Sequence, residues 1–319
     1  MKLFDRSVRW WPLSCAAGTL LTVGWLLAFT WSGIRGSHPA YLITLIALGA
    51  AAIGWAVWAV RSVAKERSAR RMWLTRTALV VGTVLLVSIA VYPRPLPADQ
   101  VAIDALVDSD TVDVTVSSSQ IRMDPTGDPR AVGLVFYPGA KVDPRAYARI
   151  LRPIAEAGYP VVIIKLPYGI AFFAANAAAD VVGRDDAIDK WVIAGHSLGG
   201  TVAARFASRS DGDEIAGLLL WASFPAGNIS SSTDLDVLSI SGGNDGLATP
   251  AKIEASRADL PSTTTFLEIA GALHAYFGDY GSQDGDGQSG VDREVAQAQI
   301  VAATLQQLRR IEGLAGQGS

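Results

Sequence analysis

Three long runs of apolar, uncharged residues in the first 95 positions limit what this part of the chain can fold into. Residues 11–34 and 40–60 give uncharged runs of about 24 and about 21 residues, and about 20 apolar residues cross a bilayer as a helix. The third run, 77–92, reaches spanning length from residue 73 if Arg76 extends to the membrane surface. We therefore expect 1–95 to be a membrane region with three transmembrane helices, at about 11–34, 40–60 and 73–92.

Two other interpretations of these runs are weaker. The first run could be a cleaved signal peptide, but it is longer than the apolar part of such a peptide, and two more runs follow it. All three could be core helices of a soluble protein, but uncharged runs of this length are not typical of such helices. Aromatic residues also cluster near the predicted ends, as they do at membrane interfaces: Trp10, Trp11, Trp31, Tyr41, Trp55, Trp58, Trp73 and Tyr92.

Charge divides the chain into two parts. Residues 1–95 carry 11 lysines and arginines against two acidic residues, whereas the remainder carries 16 against 28. The acidic remainder would repel phosphate groups, which argues against a nucleic-acid partner. In the membrane region, positive residues lie before the first run and after the second, whereas the loop between these runs holds only Arg35. The positive-inside rule then places the N-terminus in the cytoplasm and, after three spans, the rest of the chain on the extracytoplasmic side of the cell membrane.

Beyond the membrane region, short apolar runs alternate with helical patterns. The stretch at 93–97 is Pro-rich, and we expect a linker at 96–110, a globular domain at 111–312 and a flexible tail at 313–319. The domain's pattern predicts an α/β fold with a doubly wound, mostly parallel sheet, whose functional residues follow the carboxyl ends of the strands. The predicted strands are 112–116, 133–137, 161–164, 191–194, 215–221, 237–240 and 264–269, and the predicted helices are 147–157, 174–182, 201–207, 252–259 and 293–310.

The segment WVIAGHSLGG, residues 191–200, places a serine between glycines at the end of an apolar run. Its first residues predict a buried strand and the residues after it predict a helix, so Ser197 lies on a strand-to-helix turn as G-x-S-x-G. Such a turn raises the hydroxyl above the sheet and places the Leu198 N–H at a helix start, where it can face an oxyanion. We interpret Ser197 as a nucleophile; the alternative is an ordinary Gly-Ser turn.

A serine hydroxyl needs an adjacent base, and the base needs an orienting carboxylate. Of the three histidines, His38 falls in the membrane region and the His196 side chain is expected to point away from the serine. His274, just after the last predicted strand, is therefore the expected base, unless it is a structural loop histidine. The expected acid is Asp245, in the Gly-rich loop one strand earlier, and the competing carboxylates are Asp236 and Asp279.

Together, GHSLGG on its strand, turn and helix, SGGNDGLATP and GALHAYFGDYG resemble the α/β-hydrolase fold superfamily, which shares the chain order Ser, Asp, His. The stretch LVFYPGAKVDPRAYARILRPIAEAGYPVVIIKLP resembles its small branch without a cap domain, the fold-5 hydrolases related to dienelactone hydrolase-like proteins. Dienelactone hydrolases use a cysteine nucleophile, so their activity is not carried over to Ser197. The resemblance implies a second oxyanion donor in the loop after strand 133–137, at Ala140 or Gly139.

These residues predict a membrane-anchored serine hydrolase that cleaves carboxylic esters, or less readily thioesters or amides, through an acyl-enzyme. An acyltransferase on the same triad and a non-catalytic membrane-linked scaffold are the alternatives. We expect no cofactor and no metal, since the chain has one cysteine and three histidines. The loop DGDG at 284–287 lacks the glycine and glutamate that a calcium-binding EF-hand loop needs, so we expect a solvated surface loop.

The predicted strands 215–221 and 237–240 are separated by a Ser/Gly/Asn-rich stretch that is too short for a helical cap. An uncapped site would be a shallow cleft and would favour short-chain or small esters. Its walls are expected to come from aromatic residues in the surrounding loops, although these could instead pack in the core or meet the membrane: Tyr168, Phe172, Phe173, Phe224 and Tyr276.

The loop charges predict the side of the membrane on which the C-terminus lies. A reporter enzyme that is active only outside the cytoplasm, fused after Ser319, should be active, and a reporter that is active only in the cytoplasm should be inactive. The opposite pair of results would mean that the third run fails to insert.

Overall fold

The computed structural model describes residues 10–61, 68–185, 187–210 and 214–315. The chain divides into two compact units. The first comprises residues up to 35 and residues 39–94, and the second comprises residues 36–38 and everything from 95 onward.

The first unit consists of helices α1 (Trp10–Phe29), α2 (Trp31–Gly36), α3 (Ala40–Arg61) and α4 (Ala69–Val91). Three of them, α1, α3 and α4, are long and apolar enough to cross a membrane. The first span is shorter than the expected 11–34, because the helix breaks at Thr30, whose hydroxyl donates to Leu26 O at 2.6 Å. The buried Tyr41 hydroxyl donates to Ala90 O at 2.7 Å, which ties α3 to α4.

Large apolar side chains cover the outside of these helices. Leu21 and Phe29 are each 75% exposed, and Ile43 is 61% exposed. Contiguous apolar surface of this kind is unfavourable in water and is suited to lipid, so the three helices are candidate membrane spans. Several of the basic residues used to predict orientation, Lys2, Arg6, Arg9, Lys65 and Arg67, lie outside the described residues.

The second unit is built on a sheet in which eight strands are described, in the order β1-β2-β4-β3-β5-β6-β7-β8. β2 runs antiparallel to β1 and β4, and the other pairs are parallel, as the sequence predicts for most of the sheet. The strands are β1 (Val112–Val116), β2 (Gln120–Pro125), β3 (Val132–Tyr137), β4 (Val161–Ile164), β5 (Lys190–His196), β6 (Ile215–Trp221), β7 (Asp236–Gly242) and β8 (Thr265–Ile269). β2 was not expected from the sequence, since its polar residues hide the strand pattern.

Helices cover both faces of this sheet. They are α5 (Gln100–Asp104), α6 (Ala148–Glu156), α7 (Ala177–Val182), α8 (Leu198–Ala207), α9 (Pro250–Ser256) and α10 (Arg293–Ala315). Successive residues of a strand point to opposite faces, so β3 places Leu134 and Phe136 in one buried cluster and Val135 and Tyr137 in another. The near-continuous apolar strands recognised in the sequence therefore face a core on each side.

Residues 96–110 belong to the second unit and do not form the linker expected from the sequence. Ala98 and Ala102 are buried, Leu96 bridges to Val142, and the Asp99 amide donates to Asp279 O at 2.8 Å. The apolar side of α5 therefore packs into the domain core. At the other end, α10 continues through residue 315, and the rest of the expected tail 313–319 lies outside the described residues.

Parallel strands bring their carboxyl ends to one edge of the sheet. The loops after β3, β5, β7 and β8 contain Ala140, Ser197, Asp245 and His274 respectively. Residues 222–235, between β6 and β7, contain no helix, so no helical cap is inserted there. The fold thus gathers the residues singled out by the sequence at one uncapped edge.

Candidate active site

Ser197 sits on a strained turn between β5 and α8. Its φ is 52° and its ψ is −125°, a left-handed conformation that costs a non-glycine residue free energy and persists only where the surroundings enforce it. The Ser197 amide donates to Trp221 O at 3.0 Å, and the Ser223 hydroxyl donates to Ser197 O at 2.6 Å. These bonds fix the backbone and leave the half-buried hydroxyl out of the network.

The glycines around Ser197 are required by close backbone approaches. A Cβ on Gly195 would lie 2.4 Å from Gly199 C, and a Cβ on Gly199 would lie 2.1 Å from Tyr137 O. A Cβ on Gly200 would meet the Ser223 hydroxyl at 2.5 Å. The G-x-S-x-G pattern therefore has a steric cause, since α8 passes over the ends of β3 and β5 at backbone contact distance.

Asp245 and His274 are brought together by the neighbouring strands β7 and β8. His274 Nδ1 lies 2.8 Å from Asp245 Oδ2, and both side chains are buried. Asp245 Oδ1 accepts the amides of Leu247 and Ala248 at 2.7 and 2.8 Å, which holds the carboxylate in place. With Nδ1 as the donor to Asp245, His274 Nε2 is the proton-accepting nitrogen, and it is buried without a hydrogen-bond partner among the described residues.

The His274 ring packs on His196, the residue before Ser197, with ring centroids 4.5 Å apart. His196 is fully buried, and burial, followed by the nearby His274, lowers its pKa well below the ordinary value. It is therefore a neutral imidazole and adds no positive charge beside His274. This contact was not predicted from the sequence. The position of His196 on the turn indicates that its side chain points away from Ser197, but it does not indicate which group that side chain contacts.

The buried Tyr147 hydroxyl joins the nucleophile turn to the loop after β3. It lies 2.9 Å from His196 Nδ1 and accepts the Gly139 amide at 2.9 Å. Gly139 was one of the two alternatives for the second oxyanion donor, and this alternative is wrong because its N–H already donates to Tyr147. Tyr147 lies eight residues after Gly139, and no feature of the sequence indicates that the two are hydrogen-bonded.

The backbone amides of Ala140 and Leu198, at this edge, have no hydrogen bond within the described part of the chain. Leu198 is the first residue of α8, so its N–H has no acceptor within the helix. Ala140 lies between the bonded Gly139 and Lys141, whose amide donates to Gly169 O at 2.8 Å. Leu198 was expected to donate to an oxyanion from its place on the turn, and Ala140 from the family resemblance.

The two carboxylates that compete with Asp245 are engaged elsewhere. Buried Asp279 forms a two-bond ion pair with Arg149, at 3.0 and 2.8 Å, and accepts a bond from Gln297 at 3.2 Å. Asp236 begins β7, at the opposite end of that strand from Asp245, and pairs with Arg310 at 2.5 Å. Asp279 thus joins its loop to α6 and α10, and Asp236 joins β7 to α10.

The aromatic residues expected to form the cleft walls occupy three different loops. Tyr168 and the exposed Phe172 follow β4, in a segment joined to the Ala140 loop by the Lys141–Gly169 bond. Phe224 follows β6, and its carbonyl accepts the Thr201 hydroxyl at 2.9 Å. The Tyr276 hydroxyl donates to Ser289 at 2.7 Å.

An open groove of about 870 Å³ also lies in the second unit, at the edge of the sheet opposite to that of Ser197. It is formed at the starts of strands β5–β8 and by the end of α10, and its lining includes Asp189, Ala216, Asp236, Thr265 and Arg310. In parallel sheets, functional residues follow the carboxyl ends of the strands. The groove is therefore separate from the site described above.

Residues 133–298 match a family model described as "Alpha/beta hydrolase family", which covers more than half of the chain. The comparison with curated proteins gives no match. Among solved structures, a Klebsiella pneumoniae protein assigned provisionally to the dienelactone hydrolases is 13% identical, with 61% of this chain and 98% of that one covered and a TM-score of 0.45. An alpha-beta serine hydrolase homologue from Coxiella burnetii is 14% identical, with 63% and 99% covered and a TM-score of 0.43.

Substituting Gly199→Ala should destabilise the domain. The added Cβ would collide with the Tyr137 carbonyl, and overpacking of this kind costs about 1–3 kcal/mol or more. Gly227→Ala is the matched control, because no atom lies within 4 Å of its added Cβ. Thermal unfolding of the two purified variants measures the difference, and equal melting temperatures would contradict the steric explanation.

Proposed function

The chain belongs to the alpha/beta hydrolase family, and from that premise we propose that it is a membrane-anchored serine hydrolase that cleaves carboxylic esters. The observation that carries this proposal is the buried Asp245–His274 hydrogen bond, with His274 Nε2, which has no hydrogen-bond partner among the described residues, on the side of the imidazole away from Asp245. A histidine with this arrangement, packed against the residue before a serine on a strained turn, supplies the base that a serine nucleophile needs.

The proposed reaction has two steps. Ser197 Oγ attacks the acyl carbon while His274 Nε2 takes the hydroxyl proton, and His274 then gives that proton to the leaving alkoxide. A water molecule, deprotonated by the same nitrogen, then attacks the acyl-enzyme, and His274 returns the proton to Ser197 Oγ as the bond to the acyl group breaks and the acid is released. Asp245 keeps His274 in the tautomer with the proton on Nδ1 and stabilises the imidazolium that forms in each step.

The oxyanion of each tetrahedral intermediate is proposed to bind the amides of Leu198 and Ala140. Both N–H groups are unbonded within the described residues. Donors that are fixed before the reaction need no reorganisation as charge develops, and removing one such donor in other hydrolases costs about 10²–10³ in kcat. The hydrogen bond between Gly139 and Tyr147 supports the role of Ala140, because it fixes the backbone immediately before that amide.

Membrane anchoring through α1, α3 and α4 is part of the proposal, with the hydrolase domain on the extracytoplasmic side. The support is the length and apolar surface of the three helices, together with the distribution of positive residues in the sequence. The substrate is proposed to be a small ester or another short acyl compound. Tyr168, Phe172, Phe224 and Tyr276 are the proposed walls of its cleft.

Ser197→Ala should abolish covalent labelling by a fluorophosphonate probe and lower ester hydrolysis by about 10⁴-fold or more, because the triad acts as a unit. The fold should be retained, since the change removes one oxygen from a half-buried turn. Labelling and hydrolysis of 4-nitrophenyl acetate by the full chain in detergent measure both effects. Substantial activity in the pure variant would contradict the assignment of the nucleophile.

Asp245→Asn should lower kcat by about 10⁴-fold, because the amide would favour the wrong tautomer of His274. Asp279→Asn is the comparison: it weakens the buried pair with Arg149, so it should lower the melting temperature and change kcat of the folded protein little. Steady-state kinetics below the melting temperature of each variant separate the two. A larger loss of kcat in Asp279→Asn than in Asp245→Asn would show that the assignment of Asp245 as the acid is wrong.

Short-chain esters should be better substrates than long-chain ones, since no helix in residues 222–235 covers the site. The test is kcat/KM for a series of 4-nitrophenyl esters of increasing acyl length. If kcat/KM rose steeply beyond about ten carbons, at about 0.8 kcal/mol per buried methylene, the site would contain a deep apolar tunnel and the open cleft would be disproved.

A further inference from the structure

The loop at residues 282–290, here termed the bracket loop, lies against the loops that carry Asp245 and His274. The Asn244 side chain donates to Gln288 O at 2.8 Å, and the Gly290 amide donates to Gly271 O at 2.9 Å. A Cβ on Gly246 would lie 2.1 Å from Gly285 O. Asp284, Gly285 and Gly287 are exposed, as expected for a solvated surface loop, but the backbone of this segment also packs closely against the loops that carry Asp245 and His274.

Within the bracket loop, the Asp286 carboxylate accepts backbone hydrogen bonds from both catalytic loops. Oδ1 accepts the His274 amide at 3.0 Å and the Gly246 amide at 3.3 Å, as well as the adjacent Gly287 amide at 3.0 Å. Oδ2 accepts the Ala275 amide at 2.9 Å. A single side chain thus binds the amide of the proposed base and the amide of the residue that follows the proposed acid.

We propose that Asp286 is a positioning residue that holds His274 and Asp245 in register. This inference rests on the proposed function, since it assigns a role within the same catalytic site. Asp245 and His274 lie in loops beyond the ends of β7 and β8, where the sheet's hydrogen bonds no longer fix the backbone. Hydrogen bonds that amides donate to a charged carboxylate are among the stronger ones. Asp286 therefore restrains both loops at or next to the residues whose positions set the geometry of the site, His274 and Asp245.

This role has a kinetic signature. Within the described residues, the Asp286 carboxylate accepts hydrogen bonds from backbone amides, so its loss should misplace His274 without removing a group that contacts the substrate. A displacement of about 1 Å at a catalytic group can cost about 10²-fold in rate. Asp286→Ala should therefore lower kcat by about 10–100-fold and leave KM within about twofold. Asp286→Asn keeps one acceptor oxygen and should give an intermediate loss.

Two variants control for charge and for stability. Asp284→Ala removes an exposed carboxylate from the same loop and should leave kcat unchanged. Asp236→Ala removes a carboxylate that is also hydrogen-bonded, to Arg310 and Gln307, at the far end of β7. It should lower the melting temperature without changing kcat below that temperature. This variant therefore serves as the reference for a loss of stability that leaves catalysis unchanged.

A second readout does not depend on activity. The proton between His274 Nδ1 and Asp245 Oδ2 should give a far-downfield proton resonance in the full chain in detergent, identified by its absence in Asp245→Asn. It should persist in Asp284→Ala and be lost or broadened in Asp286→Ala. If Asp286→Ala does not fold, Asp286→Asn is measured in its place.

The inference is supported if Asp286→Ala lowers kcat, leaves KM within about twofold and loses the downfield resonance, while kcat is unchanged in Asp284→Ala and Asp236→Ala. It is overturned if Asp286→Ala behaves as Asp284→Ala, if the loss falls on KM, or if Asp236→Ala loses as much kcat for the same fall in melting temperature. If wild-type protein neither reacts with the fluorophosphonate nor cleaves esters, the proposed function fails. In that case the inference is tested by the downfield resonance alone: its loss in Asp286→Ala supports the positioning role of Asp286, and its persistence contradicts that role.

Discussion

The buried carboxylate of Asp245 is the group on which the geometry of this site depends. A charge removed from water is costly unless hydrogen bonds replace its hydration. Here the amides of Leu247 and Ala248 occupy one oxygen, and His274 Nδ1 occupies the other. These bonds make one orientation of the carboxylate far more favourable than any other, and that orientation in turn fixes which nitrogen of His274 is free.

The surrounding polar groups follow the same rule. Tyr147 is buried, yet its hydroxyl is bonded to both Gly139 and His196, while His196 is kept neutral by burial and by its neighbour His274. The site is thus a set of buried polar groups, most of which have their partners inside the protein. Within the described part of the chain, the groups without a hydrogen bond include His274 Nε2 and the amides of Ala140 and Leu198, which are the groups that the proposed reaction would use.

Much of this arrangement could be predicted from the sequence, and the limits have physical causes. Ser197, Asp245 and His274 each follow an apolar run at a turn rich in small residues, so local pattern and strand order were enough to select them. The occupied amide of Gly139 could not be predicted, because its acceptor, Tyr147, is placed by tertiary packing. Asp286 was also missed, since an aspartate among glycines and serines has the pattern of any exposed loop.

Errors in the overall organisation have a similar origin. Residues 96–110 follow a Pro-rich stretch, which favours the interpretation as a linker, but burial of Ala98 and Ala102 on the domain outweighs that local preference. The first apolar run is divided at Thr30 into α1 and α2, which a count of apolar residues does not detect.

The strand order of the sheet also has a consequence for how the protein matures. The central strand β3 pairs with β4 and β5, and the proposed nucleophile, acid and base follow strands that occur progressively later in the chain. Parallel pairing of distant segments is slow, because loop closure must precede the contacts that reward it. A nascent chain on the ribosome therefore has the serine turn long before it has β8, His274 or the bracket loop. The groups of the proposed triad can therefore meet only after β8 and the residues that follow it have been made, so a nascent chain that ends before His274 would lack the proposed activity.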